Sequence, residues 1–196
     1  MTTEQRASPE VPTWEDEYID RVSDRLLHNY DLEKDHRVDG ERFDLYGQMR
    51  IESEKHFFHP SLAYGNHAST EHLFARRVDS VSVADLEALS SLGHDLADEW
   101  IEVDEQHFST DFTFALVAPE IPADVASFVE RYDDRNLLKL GYYGHYEVNL
   151  LVVAPEAEEG VGSENADVLQ AFTLWEHIEP ARGPGLLGLI ARRLQI

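Results

Sequence analysis

A chain that carries 39 acidic against 16 basic side chains, a formal charge of -23 over 196 residues, has to fold against its own repulsion. That imbalance constrains the architecture more than any motif does. Lysine occurs only at Lys34, Lys55 and Lys139, arginine supplies the rest of the positive charge, and the acids run along the whole chain instead of gathering in one tail. The expected consequence is a dispersed acidic surface around a core large enough to need neither disulfides nor a structural metal.

Lysine-poor, acid-rich composition of this kind resembles that of the cytosolic proteins of extreme halophiles. At about 1 M salt the Debye length falls to roughly 3 Å, so repulsion that loosens the fold in dilute buffer is screened. The resemblance implies salt-dependent stability. An acidic protein that mimics nucleic acid concentrates its charge, which this chain does not do.

The opening "MTTEQRASPEVP" lacks an apolar core and a basic start, so residues 1–12 read as a disordered tail and not as a secretory signal. The longest unbroken apolar run, Leu150 to Ala154, is far short of the approximately 20 residues that cross a bilayer. With no cysteine in the chain, the expected setting is the cytoplasm, without a membrane segment.

Periodicity places the elements. Trp14, Tyr18, Val22, Leu26 and Tyr30 recur every fourth residue and predict a first helix, with Thr13 and Asp16 as its capping pair. Phe43, Leu45, Met49 and Ile51 alternate with polar residues as in a strand covered on one face. "KHFF" and "TEHLFARRV" predict two further strands joined by "HPSLAYGNHAS". Ser82 with Asp85 opens a second helix that should end near Glu102, and Pro122 opens a third. "FTFALVA" reads as a strand, and "LLKLGYY" with "YEVNLLVVA" reads as an antiparallel hairpin turning near Gly144. Residues 155–163 are acidic and read as a loop, residues 164–178 have an ambiguous period, and 184–195 read as an amphipathic helix.

The order helix, three strands, helix, strand over Trp14 to Ala118 resembles the core of the restriction-endonuclease-like nucleases. That resemblance implies a metal held by an acid on one strand and an acid-x-Lys on the next. Leu32, Ser53 and Leu137 stand two residues before the three lysines, and Glu54 is adjacent to Lys55, so none of them meets the pattern. Neither a phosphate-binding glycine loop nor a Ser-His-Asp order is present, and no basic cluster invites nucleic acid.

Two constellations carry candidate chemistry. His56, His59, His67 and His72, with Glu54 or Glu71 nearby, are the candidate metal ligands; three imidazoles around one open position would activate water. A divalent metal is the only cofactor they suggest; otherwise none is expected, and such histidines also cap strand ends. In "GYYGHYE", Tyr142, Tyr143, His145 and Tyr146 would gather at a hairpin tip, as the aromatic anchors of partner surfaces do, or else pack on the core with their hydroxyls outward.

These readings converge on an α+β domain over residues 13–178, with a mixed and mostly antiparallel sheet of about five or six strands flanked by helices. The segment 184–195 is expected to dock on it. The leading functional expectation is a non-catalytic protein-interaction or regulatory module whose partner is another protein, with neither nucleic acid nor membrane. The alternative is a metal-dependent hydrolase, or a degenerate relative of those nucleases, built on the His56 to His72 region.

Overall fold

Backbone pairing among seven strands builds one mixed sheet, and helices close both of its faces. The computed structural model describes residues 12–54, 66–104 and 107–176. Helix α1 (Glu17–Leu26) leads into the antiparallel meander β1 (Asp31–Val38), β2 (Glu41–Glu54) and β3 (Asn66–Arg77). Helix α2 (Val83–Trp100) then crosses to β4 (His107–Val117), parallel to β3. Helix α3 (Ala123–Glu130) and the short β5 (Arg135–Leu137) precede β6 (His145–Ala154), which lies parallel to β4. β7 (Glu159–Gly162) and α4 (Leu169–Phe172) complete the described chain. The strand order is β1-β2-β3-β4-β6-β5, and β7 also pairs with β6. Four of the six pairings are antiparallel, and the α+β expectation is met with seven strands.

Local signals account for several boundaries. Asp16 caps α1, accepting from the backbone N–H groups of Tyr18 and Ile19, and an ion pair with Arg77 at the end of β3 holds its carboxyl below the usual range. The cap therefore falls at Asp16 and not at Thr13. Ser82 and Asp85 form the reciprocal capping box expected at α2, which ends at Trp100. Gly93 sits where α2 meets the sheet; a Cβ there would come within 2.8 Å of Val148 Cγ2, so only glycine permits this approach.

Some features escape the periodicity reading. β1 alternates exposed and half-buried residues at the sheet's edge and has no apolar run to announce it. The acidic stretch read as a loop contains β7, whose Gly160 and Gly162 pair with Val153 and Leu151. Among the described residues of the ambiguous stretch, the α-helix is Leu169–Phe172. The "KHFF" strand, residues 59–65 of the loop after it, residues 1–11 of the N-terminal tail and the 184–195 helix lie outside the described residues, while residues 66–69, read as the end of that loop, already belong to β3. Among the described residues no helix is long and apolar enough to cross a membrane.

The two faces of the sheet differ. One packs Phe43, Phe74, Phe112, Phe114, Val148 and Leu150 against α2 and α3. The other places Leu45, Leu73, Ala115, Val117, Leu151 and Val153 against α1 and α4. Along the second face the inward side chains become polar towards the N-terminal ends of β4 and β6.

Candidate functional site

The strand registers set that polar region out as a belt. Met49, Glu71, Asp111, Glu147 and Arg135 follow one another across β2, β3, β4, β6 and β5. One step towards the strand starts, Ser69, Ser109, His145 and Leu137 are also in register. One step the other way, Leu73, Thr113 and Asn149 line up. The pleat sends all of them to the α1 face, because their alternates Phe112, Phe114, Val148 and Leu150 belong to the core under α2.

Burial makes the belt chemically unusual. Glu147 is 3% exposed, and Asn149, Thr113, Ser69 and Ser109 are buried beside it. Buried polar atoms need partners, and several are visible here: Ser109 Oγ donates to Ser69 Oγ at 3.0 Å, and Ser163 Oγ donates to Asn149 Oδ1 at 3.4 Å. Glu147 Oε1 lies 3.5 Å from His145 Nε2 and 3.6 Å from Arg135 Nη1. Tyr30 completes the wall; burial first, and then the Glu71 carboxylate, holds its hydroxyl far above the usual phenol range.

At the β5 end the belt runs out into an exposed knob. Leu137, opposite His145, is 63% exposed, Leu140 is 90% exposed and Tyr142 is 85% exposed. Among the described residues the only other exposed large apolar side chain is Val103. The turn that carries the knob is strained: Lys139 (φ 47°) and Leu140 (φ 61°) are consecutive non-glycine residues in the left-handed region.

The root of the knob is clamped from both faces of the sheet. On the belt side, Glu147 holds Arg135 and His145. On the α2 side, Asp134 accepts from Tyr132 Oη at 2.9 Å and from Asn136 Nδ2 at 2.6 Å, with His94 Nε2 at 3.0 Å. Leu138 N–H donates to the Gly144 carbonyl across the turn. Gly144 itself has φ +78°, and a Cβ there would fall 2.0 Å from the Phe108 carbonyl oxygen. No other residue fits that position.

Of the four residues read as a partner surface, Tyr142 alone is fully presented. Tyr143 is half-buried and its carbonyl accepts from His107 Nδ1 at 2.7 Å. Tyr146 shares a 3.0 Å hydrogen bond with His94 Nδ1, and His145 faces Glu147. Leu137 and Leu140 were missed because isolated leucines in a short strand and turn look like core.

The histidine constellation fares differently. His56 and His59 lie outside the described residues, and His67 is placed only by its pairing with Ser53 in the β2–β3 ladder. His72 points to the face opposite Glu71, 7% exposed, stacked on Phe112 at 5.2 Å and edge-on to Trp100. Burial, and secondarily the neighbouring His36, lowers its pKa to about 4, which favours the neutral imidazole, and its Nδ1 shares a 2.8 Å hydrogen bond with the Tyr46 hydroxyl. Among the described residues no group of three or more His, Asp or Glu is arranged to hold a metal ion.

The order helix, three strands, helix, strand is realised from α1 to β4, but β1, which the sequence reading missed, is one of its three strands in place of the "KHFF" segment, which lies outside the described residues. The nuclease pattern is not: Glu71 is followed two positions later by Leu73, and the Lys34 ammonium donates to the Thr13 carbonyl at 3.3 Å. The chain matches a family model described as a domain of unknown function (DUF8052) over residues 15–174. No curated protein matches the chain, and no solved structure does.

Proposed function

The chain belongs to the family described as DUF8052, which carries no assigned activity, and from that premise we propose that it is a non-catalytic protein-interaction module that docks its partner on the Leu137–Leu140–Tyr142 knob. One observation carries the reading. Three of the four large apolar side chains exposed among the described residues lie within six positions, on a turn strained into the left-handed region. Exposed apolar clusters mark interaction sites, and a leucine held in that region costs about 1–2 kcal/mol. Strain at such a position points to function more than to folding.

The belt and the Asp134 cluster support the reading as a mount. They fix the edge from which the knob projects, so a partner meets a preorganised surface and little ordering entropy is lost on binding. Composition supports a cytoplasmic, high-salt setting, in which apolar contact persists while surface ion pairs fade.

Co-purification at molar salt with the tagged full chain and with the L140S/Y142S variant tests this. The expected result is a bound protein that the variant loses, while its melting temperature stays within about 2 °C of wild type, because both side chains are exposed. An identical set of bound proteins would remove the knob from the account. Light scattering on the two proteins identifies the case in which the partner is a second copy.

A further inference from the structure

Beyond the last sheet edge, α3, β7 and α4 enclose a groove of about 440 Å³. Ile121, Val161, Leu169 and Trp175 give it an apolar lining, while Glu130, Glu158, Glu159 and Glu176 also line it and supply acid. An apolar slot edged by carboxylates suits a segment with an apolar stripe and flanking cations.

This chain contains such a segment. Residues 180–196 hold three arginines and no acid, in a protein whose overall charge is -23. Within them Leu186, Leu187, Ile190 and Leu194 fall on one helical side, Arg193 borders that stripe, and Arg192 lies away from it. The point of departure matters as much: Trp175 and Glu176, at the end of the described chain, are themselves part of the groove wall. The nine residues 177–185 separate Glu176 from Leu186, enough to span roughly 30 Å when extended. Pro180, Gly183, Pro184 and Gly185 suit a reversal within that stretch.

We propose that residues 186–194 dock in the groove between α3, β7 and α4 of the same chain, their leucine stripe on Val161, Leu169 and Trp175 and Arg193, at its border, towards the glutamates. Tethering makes this a favoured occupant, since a short linker holds the segment at an effective concentration of about millimolar. The docked segment also covers β7, a four-residue edge strand that would otherwise offer unpaired backbone groups. The inference is independent of the knob, which lies on the β5 edge.

The absence of native cysteine gives a clean test in the full chain. A126C/I190C places one thiol on α3 at the groove and one in the segment; R37C/I190C places the first on β1, at the far end of the sheet. Under oxidised glutathione, the groove pair should close an intramolecular disulfide roughly tenfold faster than the control pair, given a segment held at one site. Equal rates, or disulfide-linked dimers in place of the intramolecular product, overturn the proposal; dimers would identify a second copy as the occupant. Adding R193E should slow closure about fivefold at the lowest salt that preserves the fold, and hardly at all in molar salt. An unchanged rate at low salt overturns the pairing of Arg193 with the glutamate-lined groove.

Discussion

The two faces of this sheet come from the same strands, yet they are built on opposite principles. Under α2 and α3 the inward residues are mostly aromatic and aliphatic, with Phe74 stacked on Phe114 at 5.1 Å, Phe43 tilted against both, and the His72 imidazole buried among them. Under α1 and α4 the apolar run stops partway, and Glu71, Asp111, Glu147, Asn149 and Thr113 take the inward positions. Burying polar groups in a sheet face gains little stability even when they are paired, and buried ions often cost more than apolar replacements would. The difference teaches that the α2 face can account for the fold by apolar packing, whereas the belt is polar where it adjoins the β5 edge, and on the proposed function it serves to position that edge.

The comparison breaks if the two faces respond alike to substitution. Phe114→Ala, at a fully buried ring, should cost about 3–5 kcal/mol in urea unfolding. Asn149→Leu, in the belt, should cost less than about 1 kcal/mol or stabilise, because it extends the apolar row of Leu151 and Val153 and gives up only a long 3.4 Å hydrogen bond. A loss of several kcal/mol at Asn149 would make the belt a structural element like the other face.

His72 sharpens the contrast, since it is a titratable group on the dry face. Its pKa is about 4 in the fold, against about 6.5 in the unfolded chain, so between those values the unfolded state binds more protons. The sign follows: the neutral imidazole is compatible with the fold above about pH 6.5, and stability falls as pH drops from there towards 4. The shift corresponds to up to about 3 kcal/mol. Stability measured against pH for wild type and His72→Phe should converge or cross in the variant's favour over that window, and parallel curves would show that His72 charges without penalty.

Ionic strength acts on both faces alike, through the surface. With 39 acids against 16 bases, the melting temperature should rise by about 5 °C or more from dilute buffer to molar KCl. A flat or falling curve would remove the salt-dependent reading of the composition.

How much of this was legible in the sequence depends on which force set each element. Helices α1 and α2 follow from apolar spacing and caps, and β4 and β6 from apolar runs, because burial on a packed face leaves a periodic trace. β1 and β7 leave none; they are edge strands held by backbone pairing to β2 and β6, and their side chains are free to be acidic. The belt was half visible. Glu71 was noted beside the histidines, but Asp111 in "FSTDFTF" and Glu147 and Asn149 in "YEVNLL" interrupt an otherwise apolar inward alternation, and that signal is readable without coordinates. Pooling His72 with Glu71 ignored that adjacent residues on a strand face opposite ways. The knob was legible only at Tyr142, because the exposure of Leu137 and Leu140 depends on a turn geometry that no periodicity encodes.

The smallest expected effect bears most directly on what the positioned edge is for. Leu140→Gly removes a side chain that contacts mainly solvent and relaxes a residue with φ 61°. Relief of left-handed strain, about 1–2 kcal/mol, is opposed by the greater entropy of glycine in the unfolded chain, up to about 1 kcal/mol. The balance predicts a protein equally stable or more stable by up to about 1 kcal/mol, read from denaturant midpoints at unchanged slope. The same variant should bind its partner more weakly, since the apolar tip is gone. Stability and binding moving in opposite directions is the pattern of a residue kept for contact at the expense of the fold. If Leu140→Gly instead destabilises the protein, the leucine is part of the packing, and the β5 edge belongs with the dry face after all.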